Sequence, residues 1–94
     1  IINDEIIGID VKFGPEELLI YPNPFCQSSV VKFRNEEKVS FKLILYDMVG
    51  NKVRVIDNIS SNEVLIEKGK LMPGEYFIEL KGMAKSYKGR IMVE

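Results

Sequence analysis

The sequence predicts an all-β fold, an immunoglobulin-like antiparallel β-sandwich of seven or eight strands. Apolar side chains recur at every second position along most of the chain, which is typical of strands with one buried face. Turn-forming residues separate these runs at intervals of roughly 8–12 residues, the spacing of sandwich and barrel proteins. No window shows the 3.6-residue period of an amphipathic helix.

The alternating runs follow one another with short connections, which favours antiparallel pairing between consecutive strands. In the last run, Gly89, Ile91 and Val93 share one face, whereas Lys88 and Arg90 lie on the other. The runs are Ile7–Phe13, Leu18–Ile20, Ser29–Phe33, Val39–Tyr46, Val53–Val55, Val64–Ile66, Tyr76–Leu80 and Tyr87–Val93.

The double-proline segment, residues 21–25, has the sequence Tyr21-Pro22-Asn23-Pro24-Phe25. Neither proline can donate a backbone hydrogen bond, and each biases the residue before it toward an extended backbone. A central strand and a helix are therefore both excluded here. The segment predicts an edge where the chain enters a sheet, and its prolines keep that edge from pairing outward.

Two later segments contain residues that favour β-turns. Asp47–Gly50 fits a type I turn, with Asp first to accept local hydrogen bonds and Gly last. Met72–Glu75 fits a type II turn, because Pro73 sets φ and Gly74 permits a positive φ. Tyr76 follows at once, and this order is similar to the tyrosine corner of immunoglobulin-like sandwiches, where a Tyr hydroxyl bonds to upstream backbone.

The composition of the chain excludes several classes of function. Ninety-four residues make one domain, and the net charge of −1 argues against a nucleic-acid partner. The chain has no His and one Cys, Cys26, which excludes His-dependent nucleophile systems, His- or Cys-rich zinc sites and an internal disulfide. We therefore expect no enzyme activity, catalytic residue, metal, cofactor or small-molecule substrate. Cys26 is expected to be a small buried apolar residue.

The two ends of the chain carry opposite charge. Residues 1–17 contain five acids and the single base Lys12, whereas residues 80–93 contain Lys81, Lys85, Lys88 and Arg90 and no acid. Solvated ends are the ordinary explanation of such clusters. The alternative is that the basic end is a contact surface.

Small β-sandwiches also bind carbohydrate, which requires exposed aromatic faces. The chain has no Trp, and Phe13, Phe33, Phe41 and Tyr76 fall on the expected inner faces of their strands. These rings are therefore expected in the core, and the case for a sugar platform is weak.

Four motifs, taken in order, resemble the C-terminal sorting domains of the type IX (Por) secretion system of Bacteroidetes. The motifs are Tyr21-Pro22-Asn23-Pro24, Leu45–Val53 around Gly50, Leu71–Ile78 with Pro73, Gly74 and Tyr76, and Lys88–Val93. The resemblance covers residues 18–94, and Cys26 departs from the small or polar residue more usual after the first motif. Residues 1–17 are expected to be a linker or a remnant of the preceding cargo domain, or to add the strand Ile7–Phe13.

The resemblance implies a non-catalytic signal that directs a larger cargo protein across the outer membrane. Its expected partners are the outer-membrane type IX translocon and a sortase-like peptidase that later removes it, and the isolated domain is expected to be a monomer. The cargo would pass through the periplasm to the cell surface or the medium. The expected recognition surface comprises Lys85, Lys88, Gly89, Arg90, Ile91 and Val93. The alternative is a fibronectin type III-like accessory or carbohydrate-binding module of a secreted enzyme or adhesin.

Overall fold

Seven strands form two antiparallel sheets in the computed structural model, which describes residues 18–94. The predicted linker, residues 1–17, and the additional strand over Ile7–Phe13 lie outside the described residues. The strands are β1 (Leu19–Tyr21), β2 (Ser28–Lys32), β3 (Phe41–Tyr46), β4 (Lys52–Ile59), β5 (Glu63–Glu67), β6 (Gly74–Lys81) and β7 (Ser86–Val93). Each overlaps a predicted run, although β4 extends well beyond the predicted Val53–Val55, and the all-β sandwich is confirmed.

One sheet has the strand order β1-β2-β5 and the other has the order β4-β3-β6-β7. Every strand pair is antiparallel. Strand β1 is an edge strand, as the double-proline segment predicted, since a chain without N–H donors cannot continue a ladder. A bridge from Phe25, after β1, to Val93 places β1 and β7 on one side of the sandwich, and contacts from Arg54 to Glu67 place β4 and β5 on the other.

The inner faces of both sheets form one hydrophobic core. Its aromatic centre is a cluster of Phe33, Phe41 and Tyr87, whose ring centroids lie 5.1–5.8 Å apart in edge-to-face geometry. The expected inner positions Phe33, Phe41 and Tyr76 are all buried. Phe13 lies outside the described residues.

The sandwich has two distinct ends. The entry end contains the start of β1, the β2–β3 connection (residues 33–40) and the β6–β7 connection (residues 82–85). The far end contains the β3–β4 turn (residues 47–51), the β5–β6 connection (residues 68–73) and Glu94. Within residues 18–94 there is no helix long and apolar enough to cross a membrane.

Two expectations were wrong. Val39 was assigned to the start of β3, but the Asn35 side chain binds both its N–H and its C=O, at 3.1 and 2.9 Å, and keeps it in the loop. Cys26 was expected to be buried and is exposed. Neighbouring side chains of extended backbone point to opposite sides, and the adjacent Phe25 points into the core.

Candidate recognition surface

The double-proline segment carries the chain from one sheet to the other. Strand β1 stops pairing with β2 after Tyr21, and at Phe25 the chain forms a parallel bridge with Val93 of β7. The Phe25 N–H donates to the Met92 carbonyl at 3.0 Å, and the Glu94 N–H donates to the Phe25 carbonyl at 2.8 Å. Both X–Pro bonds in the segment are cis.

Asn23 lies between the two prolines and binds the outer edge of β7. Its side-chain amide donates to the Arg90 carbonyl at 3.2 Å, and its Oδ1 accepts the Met92 N–H at 2.8 Å. Asn suits this position because one side chain supplies both a donor and an acceptor, as a neighbouring strand would. The segment therefore closes the edge of the terminal strand, a role that the sequence did not predict.

Buried Ser29 fixes the position of this crossing. Its hydroxyl donates to the Pro22 carbonyl at 2.8 Å, and its side chain is almost fully buried. Tyr21 is half exposed, and the Lys32 ammonium lies 5.7 Å from its ring centroid. Pro22, Asn23 and Pro24 are exposed at the surface.

The predicted Asp47–Gly50 turn is present. The Gly50 N–H donates to the Asp47 carbonyl at 3.1 Å, and Gly50 has φ +96, a conformation that favours glycine. The Asp47 carboxylate accepts the backbone N–H groups of Asn51 and Val49 at 2.9 and 3.1 Å. These bonds, that from the Asn51 backbone above all, lower the pKa of the Asp47 carboxyl.

The tyrosine corner is also present, although the turn before it differs from the prediction. The Tyr76 hydroxyl donates to the Met72 carbonyl at 2.6 Å. Gly74 has φ +147 and already pairs with Val93 as the first residue of β6. A type II turn would place its glycine near φ +80, so a bend at Pro73 replaces the predicted turn.

The terminal strand β7 separates the expected recognition residues into two groups. Lys85, Lys88 and Arg90 are exposed. Ile91 and Val93 are only 1% and 2% exposed and belong to the core. Gly89 faces inward beneath Leu18, where an added Cβ would lie 3.1 Å from the Leu18 Cδ1. Of the expected recognition residues, the three cations are therefore those whose side chains a partner can reach in the folded domain.

The three cations differ in their surroundings. Arg90 pairs with Glu75 at 3.2 Å and lies 5.8 Å from the Phe77 ring centroid, so its charge already has partners on the sheet surface. Among residues 18–94, no carboxylate lies within 4 Å of Lys85 or Lys88. These two ammonium groups are therefore available to a partner at little desolvation cost.

Sequence reasoning missed two polar residues that join separate parts of the sandwich. Asn35 also donates to the Ser61 carbonyl at 3.0 Å and so links the β2–β3 and β4–β5 connections. The Arg54 guanidinium donates to the Glu67 and Lys68 carbonyls and so joins β4 to β5 on the side opposite the double-proline segment. Neither lies in a motif, and an isolated Asn or Arg carries no pattern that would have revealed its contacts.

Metal and carbohydrate sites are both disfavoured in the part of the chain that the structure describes. Within residues 18–94, no group of three or more His, Cys, Asp and Glu side chains could hold a metal ion. The exposed rings of Tyr21 and Phe77 each have a cation nearby, from Lys32 and Arg90. A sugar could stack on these faces only by displacing those cations, which disfavours the carbohydrate-binding alternative.

The strand order, the tyrosine corner and the double-proline crossing together define an immunoglobulin-like sandwich module whose first and last segments are hydrogen-bonded to each other. A model of the secretion system C-terminal sorting domain family matches residues 19–94, and the chain belongs to this family. The resemblance inferred from the four motifs is thereby confirmed. No curated protein is significantly similar to the chain. Membership gives the domain the role of a type IX sorting signal, in a protein bound for the cell surface or beyond.

Proposed function

We propose that the domain is a folded C-terminal address that the outer-membrane type IX translocon recognises on β7. A larger cargo protein precedes it, passes through the periplasm and reaches the cell surface or the medium. A sortase-like peptidase then removes the domain by cutting within residues 1–20. The domain itself catalyses nothing.

The observation that carries this proposal is the Asn23 contact with β7. The first family motif binds the backbone of the last one, at 2.8 and 3.2 Å, across 67–69 residues of sequence. The first motif therefore supports the terminal strand and holds it in one register. A receptor that binds β7 would therefore contact a backbone that is already ordered, which reduces the conformational entropy that the domain loses on binding.

We propose that Lys85 and Lys88 are the principal contacts. Both are exposed: Lys85 ends the β6–β7 connection and Lys88 lies near the start of β7, away from the residues that Asn23 and Phe25 bind. Cations of this kind steer association and contribute to specificity more than to raw affinity. Arg90 would contribute less, because it is already paired with Glu75.

The test is secretion of a periplasmic reporter fused to this chain in a bacterium with a working type IX system. The Lys85→Ala/Lys88→Ala variant should deliver at least several-fold less reporter to the surface. A matched control, Lys42→Ala/Lys52→Ala, removes two exposed lysines from β3 and β4 and should deliver normally. Point substitutions are sharper than deletion of residues 85–94, because deletion removes Ile91 and Val93 from the core.

Full delivery by the Lys85→Ala/Lys88→Ala variant would overturn the proposed contacts. Failure of the unaltered fusion to reach the surface would overturn the address itself. Mass spectrometry of the released reporter would locate the cut, and a cut beyond residue 20 would contradict the proposed removal site.

The accessory-module alternative is supported by the fold, since the strand order and the tyrosine corner occur equally in non-secretory sandwiches. It predicts normal surface delivery of the cargo after the domain is removed genetically. Loss of delivery in that experiment would exclude it.

A further inference from the structure

A groove of about 230 Å³ opens at the entry end, between the β2–β3 and β6–β7 connections. Buried Phe41 forms its floor, and its rim carries Val39, which is 44% exposed, and Met83, which is fully exposed. The walls also carry charges of both signs, from Arg34, Lys85, Glu36 and Glu37. Apolar side chains exposed around a concave surface are typical of a binding site.

The chain enters the domain beside this groove. Strand β1 begins at Leu19, which pairs with Lys32, and the groove-lining loop starts two residues later at Arg34. Leu18 contacts Gly89 of β7, and Tyr87, two residues away, has its ring centroid 5.8 Å from that of Phe41 on the groove floor. The segment before Leu18 therefore starts next to the groove.

We propose that this groove binds residues 7–13 of the same chain through their alternating apolar side chains. The proposal concerns how the preceding segment attaches to the domain, and it does not depend on the secretion role.

Length and composition favour this occupant. Extended backbone rises roughly 3.3 Å per residue, so the five residues from Leu18 back to Phe13 span about 16 Å. Ile7, Ile9, Val11 and Phe13 recur at every second position and would present one apolar edge to the groove. No other part of residues 1–17 has this pattern.

Charge also favours it. Residues 1–17 contain five acids and one base, a net charge of −4. Residues 18–94 contain twelve bases and nine acids, a net charge of +3. Residues 7–13 carry only Asp10 and Lys12 and are neutral, so any attraction to the domain comes from the acids on either side of them. The covalent link also gives the segment a high local concentration at the groove.

Trypsin provides the first test, because Lys12 is the single Lys or Arg in residues 1–17. Proteolysis follows the population of the open form when opening is fast. The variant Val39→Ser/Met83→Ser removes apolar area from the groove, and we expect cleavage after Lys12 to become about tenfold faster. The matched control Met48→Ser/Val49→Ser changes an exposed Met and Val in the far-end turn and should leave the rate unchanged.

A second test uses methyl-labelled methionine in the full chain. Its four methionines, Met48, Met72, Met83 and Met92, lie on different surfaces. In the variant Ile9→Ser/Val11→Ser, the methyl chemical shift of Met83 should move toward that of a fully solvated methionine. The chemical shifts of the other three methionines should stay unchanged. Both variants alter exposed or linker side chains, and the unchanged resonances would verify that the domain stays folded.

Equal cleavage of the groove variant and its control, or an unmoved Met83 resonance, would overturn the proposal. A Met83 resonance that moves with protein concentration would also overturn it, since the occupant would then be a second copy of the chain. A concentration-independent change confined to Met83, together with faster cleavage, would establish it.

Discussion

The Asn23 side chain makes hydrogen bonds to β7 that a neighbouring strand would otherwise make. Strand β7 is the last strand of its sheet, and its outward N–H and C=O groups need partners or water. Asn23 satisfies one of each, at the Arg90 carbonyl and the Met92 N–H. The flanking prolines add no competing donor of their own.

Replacement of Asn23 by Ala should therefore destabilise the domain. Two hydrogen bonds at an exposed site are lost, and we expect a cost of about 1–2 kcal/mol in the free energy of unfolding. Hydrogen exchange should show the loss locally. In the variant, exchange should become faster at the Met92 amide, whereas exchange at the Phe77 amide inside the sheet should change less. Unchanged exchange at Met92 would show that Asn23 does not protect the edge.

Asp47 makes the β3–β4 turn sensitive to acid. Because hydrogen bonds lower its pKa in the folded state, its contribution is complete above the unfolded pKa of about 3.9 and is lost as pH falls through the folded value. The melting temperature of Asp47→Ala should lie below that of the unaltered protein at pH 7, and the gap should narrow as the pH is lowered to 2. A gap of the same size at both pH values would exclude this cause.

At the scale of the element, the β6–β7 hairpin depends on one glycine contact that composition cannot reveal. A Cβ added at Gly82 would lie 2.7 Å from the Phe41 ring, closer than real carbon contacts. The ring is buried and packs edge-to-face against Phe33 and Tyr87, so it has little room to move. The hairpin turn therefore sits directly on the aromatic cluster.

Gly82→Ala should cost about 1–3 kcal/mol, the usual penalty of overpacking a core. Gly89→Ala should cost less, because the neighbouring atoms are the movable ends of Leu18 and Ile20 at 3.1 and 3.3 Å. Denaturant unfolding of the two variants compares them directly. A larger loss at Gly89 would contradict the packing described for Gly82.

At the scale of the whole molecule, the two open sides of the sandwich are closed by different means. Phe25 inserts a buried ring and two backbone hydrogen bonds on the β1–β7 side. Arg54 spans the β4–β5 side with its guanidinium alone. The first closure removes apolar area from water and the second contributes only polar contacts, so the first should contribute more to stability.

Phe25→Ala should cost about 3–5 kcal/mol, a large part of the stability of a domain of this size, whereas Arg54→Ala should cost about 1–2 kcal/mol. Thermal unfolding of both variants tests the order. Equal losses would mean that the polar closure matters as much as the apolar one.

The sequence by itself determined the strands, the all-β sandwich, the Asp47–Gly50 turn, the tyrosine corner and the family. Each is encoded in a local pattern: alternation of period two, turn residues with fixed φ, or motifs in order. Only the tertiary structure decided that the first motif binds the last strand, that Ile91 and Val93 are core while Lys85 and Lys88 are exposed, and that Cys26 is exposed. These depend on contacts between residues far apart in the chain, and local propensity does not record which distant backbone a side chain such as Asn23 will meet.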